Sequence, residues 1–389
     1  MSSERLHHLD ALRALTMVLI LPAHAVALMG LRGGWNDAEA TIYWLIHVFR
    51  LPLFFLVAGF FAALLIDVRG TRAVLRNRLV RIGIPLVVVV TVVAPVLALL
   101  LQGVTTVPQS SGPDGLLDAF TDLHPSYVWF LWYLAMLYVA ALALRFVLES
   151  SAELRRRLSH AGSLLIPHEI APLLLAIPCA LLLYRQPTWI AEAPAESFVP
   201  HFDLLAYYGL FFASGWALFA IHGLREQIEL QPRRYALFAA ASLPPALALF
   251  LLQDVPAIGA SRWFHLLALL LLSVTTWSLV FALLGLSRRF LREPVPRMRY
   301  WADASYWIYL SHFPIMAALG LVLFELEMPN SLRLAILVVA TLAVIYPAYG
   351  ILVRHRTIGR VLHGPRPPDR AQTPRWGFTQ PTAAAERRA

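Results

Sequence analysis

Arg13 and His24 stand eleven residues apart in the first apolar run of the chain. A helix turns through about 1,100° over that distance, so the two side chains share a face to within about 20° and differ by about 16 Å in height. Ionisable groups inside hydrocarbon are costly and mark pathways or sites. A guanidinium fork binds phosphate and an imidazole moves protons near neutral pH. The pair therefore points to a membrane-embedded site. Asp10 precedes Arg13 by one turn, and Pro22 is placed to bend the helix beside His24. The plainer reading makes Arg13 an interfacial anchor and His24 a packed, hydrogen-bonded ring.

The second apolar run carries His47 and Arg50 on one face with Tyr43. It runs opposite to the first, which puts Arg50 about 14 Å and His24 about 12 Å below the same surface. The two are expected to meet at one depth. Asp10, Asp67, Asp203 and Asp303 all fall at the edges of apolar runs, which leaves Arg50 without an obvious carboxylate partner. Water, backbone carbonyls or an anionic ligand is expected to satisfy it. Further along, Ser305, Tyr309 and His312 follow an i, i+4, i+7 spacing and share a face, with Tyr306 beside them. His312 reads equally as a histidine bridging two helices. Trp129, Phe130, Trp132 and Tyr133 open the fourth run, where an interfacial aromatic belt belongs and where sugars can stack.

These residues need a membrane scaffold. The 389-residue chain is 59% hydrophobic and 14% charged, with mean hydropathy +0.65, which places it among polytopic membrane proteins. Ten apolar runs cover 11–31, 41–66, 82–101, 126–147, 170–184, 202–221, 235–252, 263–286, 301–324 and 332–353. A span needs roughly 20 residues, so the fifth run, with Pro172 and Pro178, is the weakest. The expected fold is an all-α polytopic bundle of about ten transmembrane helices, forming one domain over 1–360. A Pro-, Arg- and Ala-rich tail over 361–389 is expected to be a disordered cytoplasmic segment.

All 32 cations are arginine, and 27 fall in alternate connections against four in the others. By the positive-inside rule both termini are cytoplasmic, as expected for a multi-pass protein of a bacterial-type inner membrane. The same alternation argues against nucleic acid, which would gather cations on one domain. Residues 102–125 carry Asp114, Asp118 and Asp122 without arginine and read as a polar outer loop, whereas 148–169 reads as a basic interfacial helix. Ala23, His24 and Ala25 imitate a signal-peptidase site, but the first helix is expected to be retained. The lone Cys179 excludes an internal disulfide and a thiolate metal cluster, and no metal is expected.

In order along the chain, these segments resemble acyltransferase family 3, a family of integral membrane proteins. LDALRALTMVLILPAHA looks like its first-helix signature, and RLPLFFLVAGFF from Arg50 to Phe61 is similar to its second-helix motif, with Ala58 where serine is usual before Gly59. RNRLVRIGIP from Arg76, WFLWYL from Trp129 and SYWIYLSHFP from Ser305 resemble the third, fourth and late blocks. The second and fourth blocks are closest to the branch of glucan-modifying succinyltransferases.

The resemblance implies transfer of an acyl group, acetyl or succinyl in class, from cytoplasmic acyl-CoA to a hydroxyl of a carbohydrate, lipid-linked or other cell-envelope acceptor. Acyl-CoA is then a cosubstrate, and no permanently bound cofactor is implied. In that reading Arg13, Arg78 and Arg81, with Asp10, receive the donor. His24 acts as general base or forms an acyl-histidine, and Arg50 or His312 steadies the oxyanion. His47, Trp129, Trp132, Tyr133, Ser305, Tyr306 and Tyr309 line the acceptor pocket. The competing expectation is a secondary transporter of a small anionic or sugar-like solute. It is weakened by the lack of mid-span carboxylates and of matched broken helices in two halves.

Overall fold

The fold is read from a computed structural model that describes residues 7–104, 124–165, 169–186, 188–192, 197–291 and 296–363, and every regular element among them is helical. α1 (His7–Val18) and α2 (Ile20–Gly30) make one bent span. Pro22 offers no N–H to the Val18 carbonyl, and the helix breaks at Leu19. α3 (Asp37–Arg69) and α4 (Thr71–Val104) follow, the latter with π-helical turns at Leu79–Gly83 and Val89–Val93. Then come α5 (Trp129–Ser150), α6 (Ala152–Leu165), α7 (Ala171–Leu183), α8 (Phe202–Ala220), α9 (Leu224–Glu229) and α10 (Pro232–Leu251). α11 (Pro256–Gly259), α12 (Arg262–Phe290), α13 (Pro296–Leu323), α14 (Asn330–Ala348) and α15 (Thr357–His363) complete the described chain.

Among the described residues, nine helices are long and apolar enough to cross a bilayer. The fifth apolar run departs from the expected ten. α7 has 13 residues, about 20 Å of rise against a hydrocarbon core of about 30 Å. Its flanks nevertheless reach both faces of the bundle. Glu169 pairs with Arg234 at the start of α10, at 3.1 Å, while Tyr184 and Trp189 pack on His265 at the start of α12.

α3 begins at a capping box in which the Asn36 side chain accepts from the Glu39 N–H and the Glu39 carboxylate accepts from the Asn36 N–H. It then packs most closely on α8. A Cβ at Gly59 would fall 2.0 Å from the Phe212 carbonyl oxygen, and one at Gly215 would fall 1.8 Å from that of Leu56. Only glycine lets these two backbones approach so nearly. α1–α2, α3 and α12 are the most enclosed spans, whereas α5, α10 and α14 turn most of their surface outward.

Two in-helix prolines free carbonyls in the core, and hydroxyls from other helices answer them. Pro52 leaves the Val48 carbonyl without its intrahelical donor, and Thr276 Oγ1 donates to it at 2.8 Å. Pro314 does the same to Leu310, whose oxygen accepts from Tyr127 Oη at 2.6 Å. Arg50 and His312 each lie two residues before such a proline, and His24 lies two after Pro22.

One face of the bundle is basic. There the buried Glu229 accepts from Arg288 Nη1 at 2.9 Å and from His8 Nε2 at 3.1 Å, with Arg225 at 3.6 Å. This network holds α1, α9 and α12 together. At the opposite face Arg32 donates to the Val104 and Phe324 carbonyls at 2.7 and 2.9 Å and ties α2 to the ends of α4 and α13. α6 supplies a helix within 148–169 where one is expected, and α15 extends through His363, into the segment read as a tail from 361. The rest of that tail, and 105–123 of the segment read as a polar outer loop, lie outside the described residues.

Candidate functional site

Two side-chain ladders face one another across α1–α2 and α13. The first climbs from Arg13 through Thr16 and Ile20 to His24, following the 3.6-residue period. The second climbs Tyr306, Tyr309 and His312, whose rings stack at 6.4 Å and then 6.3 Å between centroids. Between them a small cleft of about 20 Å³, room for a water molecule, is lined by Thr16, Ile20, Arg50, Tyr309 and Phe130 among others. The cleft therefore sits on the stripe that joins Arg13 to His24.

At the top of the ladders the two histidines meet. His24 Nδ1 and His312 Nε2 are 2.6 Å apart. His312 Nδ1 lies 2.7 Å from the Tyr309 carbonyl oxygen and 3.1 Å from that of Ile308. Carbonyls only accept, so His312 Nδ1 carries the proton and its Nε2 is the acceptor in the neutral ring. His24 must then donate from Nδ1, which leaves the lone pair on its Nε2. His312 is fully buried, whereas His24 keeps partial access. Phe313 and Tyr127 pack edgewise and tilted around the pair.

Arg50, His47 and His312 all lie within electrostatic reach of the His24 ring, so the residues expected at one depth do converge. Arg50 is 5% exposed, and its Nε is buried without a hydrogen-bond partner. Among the described residues no carboxylate ion-pairs with it; Tyr43, Tyr208, Tyr309 and Glu192 stand farther off. His47 Nδ1 donates to the Tyr43 carbonyl at 2.8 Å, and its ring stacks on Tyr43 at 3.9 Å.

At the foot of the ladders Arg13 pairs with Asp10 at 3.3 Å, and Arg78 sits 4.8 Å over the Tyr138 ring. Arg13, Arg69 and Arg78 all lie within electrostatic reach of Arg81. The Nε atoms of Arg13 and Arg78 are buried without partners. Asp10, Arg13, Arg78 and Arg81 thus belong to one basic cluster.

Tyr306 and Ser305 depart from the expected acceptor pocket. The Tyr306 hydroxyl donates to the Arg81 carbonyl at 2.5 Å, so it belongs to the basic cluster. Ser305 Oγ donates to the Ala302 carbonyl at 2.8 Å, the back-bonding usual for a short hydroxyl inside a helix. The face that matters runs 306, 309, 312.

Trp129 and Tyr133 pack on Tyr208, beside Arg50. Trp132 turns away, donating to the Phe198 carbonyl at 3.0 Å, and the Tyr133 hydroxyl accepts from the His201 N–H at 3.0 Å. Both brace the segment before α8. Sequence reasoning passed over Glu192, which accepts from the Tyr43 hydroxyl, and Tyr127; Pro314, which frees the carbonyl Tyr127 bonds, was the available signal. Among the described residues there is no group of three or more His, Cys, Asp or Glu arranged to hold a metal ion.

Fold and centre define an all-α polytopic membrane protein with a histidine pair buried among arginine and tyrosines. The chain belongs to acyltransferase family 3: the family's acyltransferase-domain model matches residues 6–350. It is therefore a membrane acyltransferase, which sets the transporter alternative aside. It is similar to the glucans biosynthesis protein C of Escherichia coli strain K12 and of the O1:K1 strain, at 24% identity over 336 residues in each case, covering 82% of this chain and 84% of the relative. No solved structure is significantly similar to it.

Proposed function

We propose that the protein moves an acyl group from cytoplasmic acyl-CoA to a hydroxyl of a carbohydrate or other cell-envelope acceptor. The single observation that carries this reading is the 2.6 Å contact of His24 with His312, which leaves the His24 Nε2 lone pair available at the end of a stripe that starts at Arg13. The basic face is cytoplasmic in this reading, as the positive-inside rule requires, within a bacterial-type inner membrane. Arg13, Arg78 and Arg81 receive the phosphates of the donor there, and Asp10 orients Arg13. The pantetheine arm enters along the stripe from Arg13, parting the two ladders where the one-water cleft now lies, and brings the thioester up to Arg50.

His24 Nε2 takes the proton of the acceptor hydroxyl as that oxygen attacks the thioester carbon. The C–O bond forms, and the Arg50 guanidinium steadies the oxyanion in surroundings poor in water. Collapse breaks the C–S bond, and the leaving thiolate takes the proton from His24. Meanwhile the imidazolium donates from Nδ1 to His312, which is held by the Tyr309 carbonyl. In the alternative order His24 Nε2 itself attacks the thioester carbon, the C–S bond breaks with release of the thiolate, and the acyl-imidazolium passes the group on to the hydroxyl, whose proton goes to the thiolate as the N–C bond breaks. A succinyl group would give Arg50 a carboxylate partner; the relative's name, glucans biosynthesis protein C, supports a glucan as the acceptor.

The test compares cell-envelope glycans of a deletion strain with those of its parent by mass spectrometry. An acyl increment, acetyl or succinyl, should vanish on deletion, return with the wild-type chain and fail to return with His24→Ala. Identical glycan masses in deletion and parent strains would overturn the reading.

A further inference from the structure

Glu192 lies on the segment between α7 and α8, at the face opposite the basic cluster. The segment is fastened. Trp189, Ile190 and Ala191 are buried, Trp189 stacks on His265, and the Ala191 carbonyl accepts from Tyr208 Oη at 2.7 Å. Glu192 itself remains exposed, so its position is set by its buried neighbours. One carboxylate oxygen accepts from Tyr43 Oη. The Tyr43 ring stacks on His47 and packs against Trp35 at 4.5 Å. Glu192 also lies within electrostatic reach of Arg50 without forming an ion pair.

This arrangement holds an acceptor group on Tyr43, about two turns along the same face of α3 from the Arg50 donor, with an aromatic wall beside it. A carboxylate with one oxygen tied keeps lone pairs on the other, and the Arg50 fork keeps unused N–H donors. The Glu192 carboxylate disfavours an anionic acceptor beside it, and Arg50 disfavours a cationic one. A neutral diol satisfies both, because each hydroxyl donates and accepts. We propose that Glu192 binds the acceptor, its free oxygen taking a hydrogen bond from a hydroxyl adjacent to the one that is acylated. This inference rests on the acyl-transfer reading above and adds that the acceptor is a neutral polyol, such as a sugar.

The experiment measures binding by calorimetry to the full chain in lipid nanodiscs, with laminarihexaose and maltohexaose as saccharide probes and acetyl-CoA as donor probe. Glu192→Gln should raise the Kd of the bound saccharide about tenfold, the loss of one charge-assisted hydrogen bond. It should leave the acetyl-CoA Kd within about twofold, because the donor enters from the other face. Glu192→Asp, which keeps the charge one carbon shorter, should recover part of the loss. An unchanged saccharide Kd in Glu192→Gln would overturn the inference, as would an equal weakening of both ligands or no saccharide binding by the wild type. If Glu192 governs saccharide binding but the wild type transfers no acyl group, the acyl-transfer reading falls and the binding assignment stands.

Discussion

His24 and His312 are 288 residues apart in the chain, yet their ring nitrogens lie 2.6 Å apart. The Tyr309 carbonyl fixes the His312 tautomer, which fixes that of His24. In the proposed reaction His312 is therefore a positioning residue, and His24 Nε2 is the reacting atom. Thiol release from acetyl-CoA should fall by about 10³-fold or more in kcat for His24→Ala. His312→Gln should lose about 10- to 100-fold, with the acetyl-CoA KM little changed, and the double variant should be no worse than His24→Ala alone. Additive losses would show two independent roles.

Arg50 separates catalysis from stability. Its guanidinium is buried and its Nε unpartnered, so Arg50→Met removes a desolvated charge and should leave Tm unchanged or raise it. The same variant should lose about 10²- to 10³-fold in kcat if the guanidinium meets the oxyanion. Arg50→Lys keeps a charge but not the fork, and should also lose activity. A fall in Tm with activity retained would show a purely structural arginine.

The closest helix crossing should fail as a packing event. Gly215→Ala puts a methyl group 1.8 Å from the Leu56 carbonyl oxygen, where backbone rather than a flexible side chain must move. Thermal unfolding in detergent should drop by several degrees, an overpacking cost of about 1–3 kcal/mol. Activity should fall with it, because α3 carries both Leu56 and Arg50. Gly209→Ala, whose added Cβ meets only the Leu137 side chain at 3.4 Å, is the control and should be mild.

The basic cluster should govern donor affinity. Arg78→Ala and Arg13→Ala are each expected to raise the acetyl-CoA KM about tenfold, the worth of one charge-assisted contact, with a smaller effect on kcat. Donor lacking its 3′-phosphate should show a smaller difference between variant and wild type. A loss confined to kcat would place these arginines elsewhere in the reaction.

Hydropathy and helical periodicity, which are local properties, were enough to read the all-α membrane class, the positions of nine long spans and the shared face of Arg13 and His24. Depth could also be counted along single helices, because rise per residue is constant, and so the approach of Arg50 to His24 was foreseeable. The family motifs were legible for the same reason: each lies within one segment. Other features depend on how helices pack.

The 13-residue α7 still reaches both faces through its flanks, which no window of its own residues reveals. Tyr306 left the expected acceptor pocket for the Arg81 carbonyl because rotation of α13 about its axis is set by its neighbours, while Ser305 turned its hydroxyl back onto its own helix. The meeting of His312 with His24, and of Glu192 with Tyr43, joins residues from distant segments. Those contacts were decided by the packing of proline-bent helices, whose freed carbonyls are answered by side chains elsewhere in the chain. Sequence determined what each helix carries; tertiary structure alone decided which side chains face one another, because orientation between helices is a property of the whole bundle.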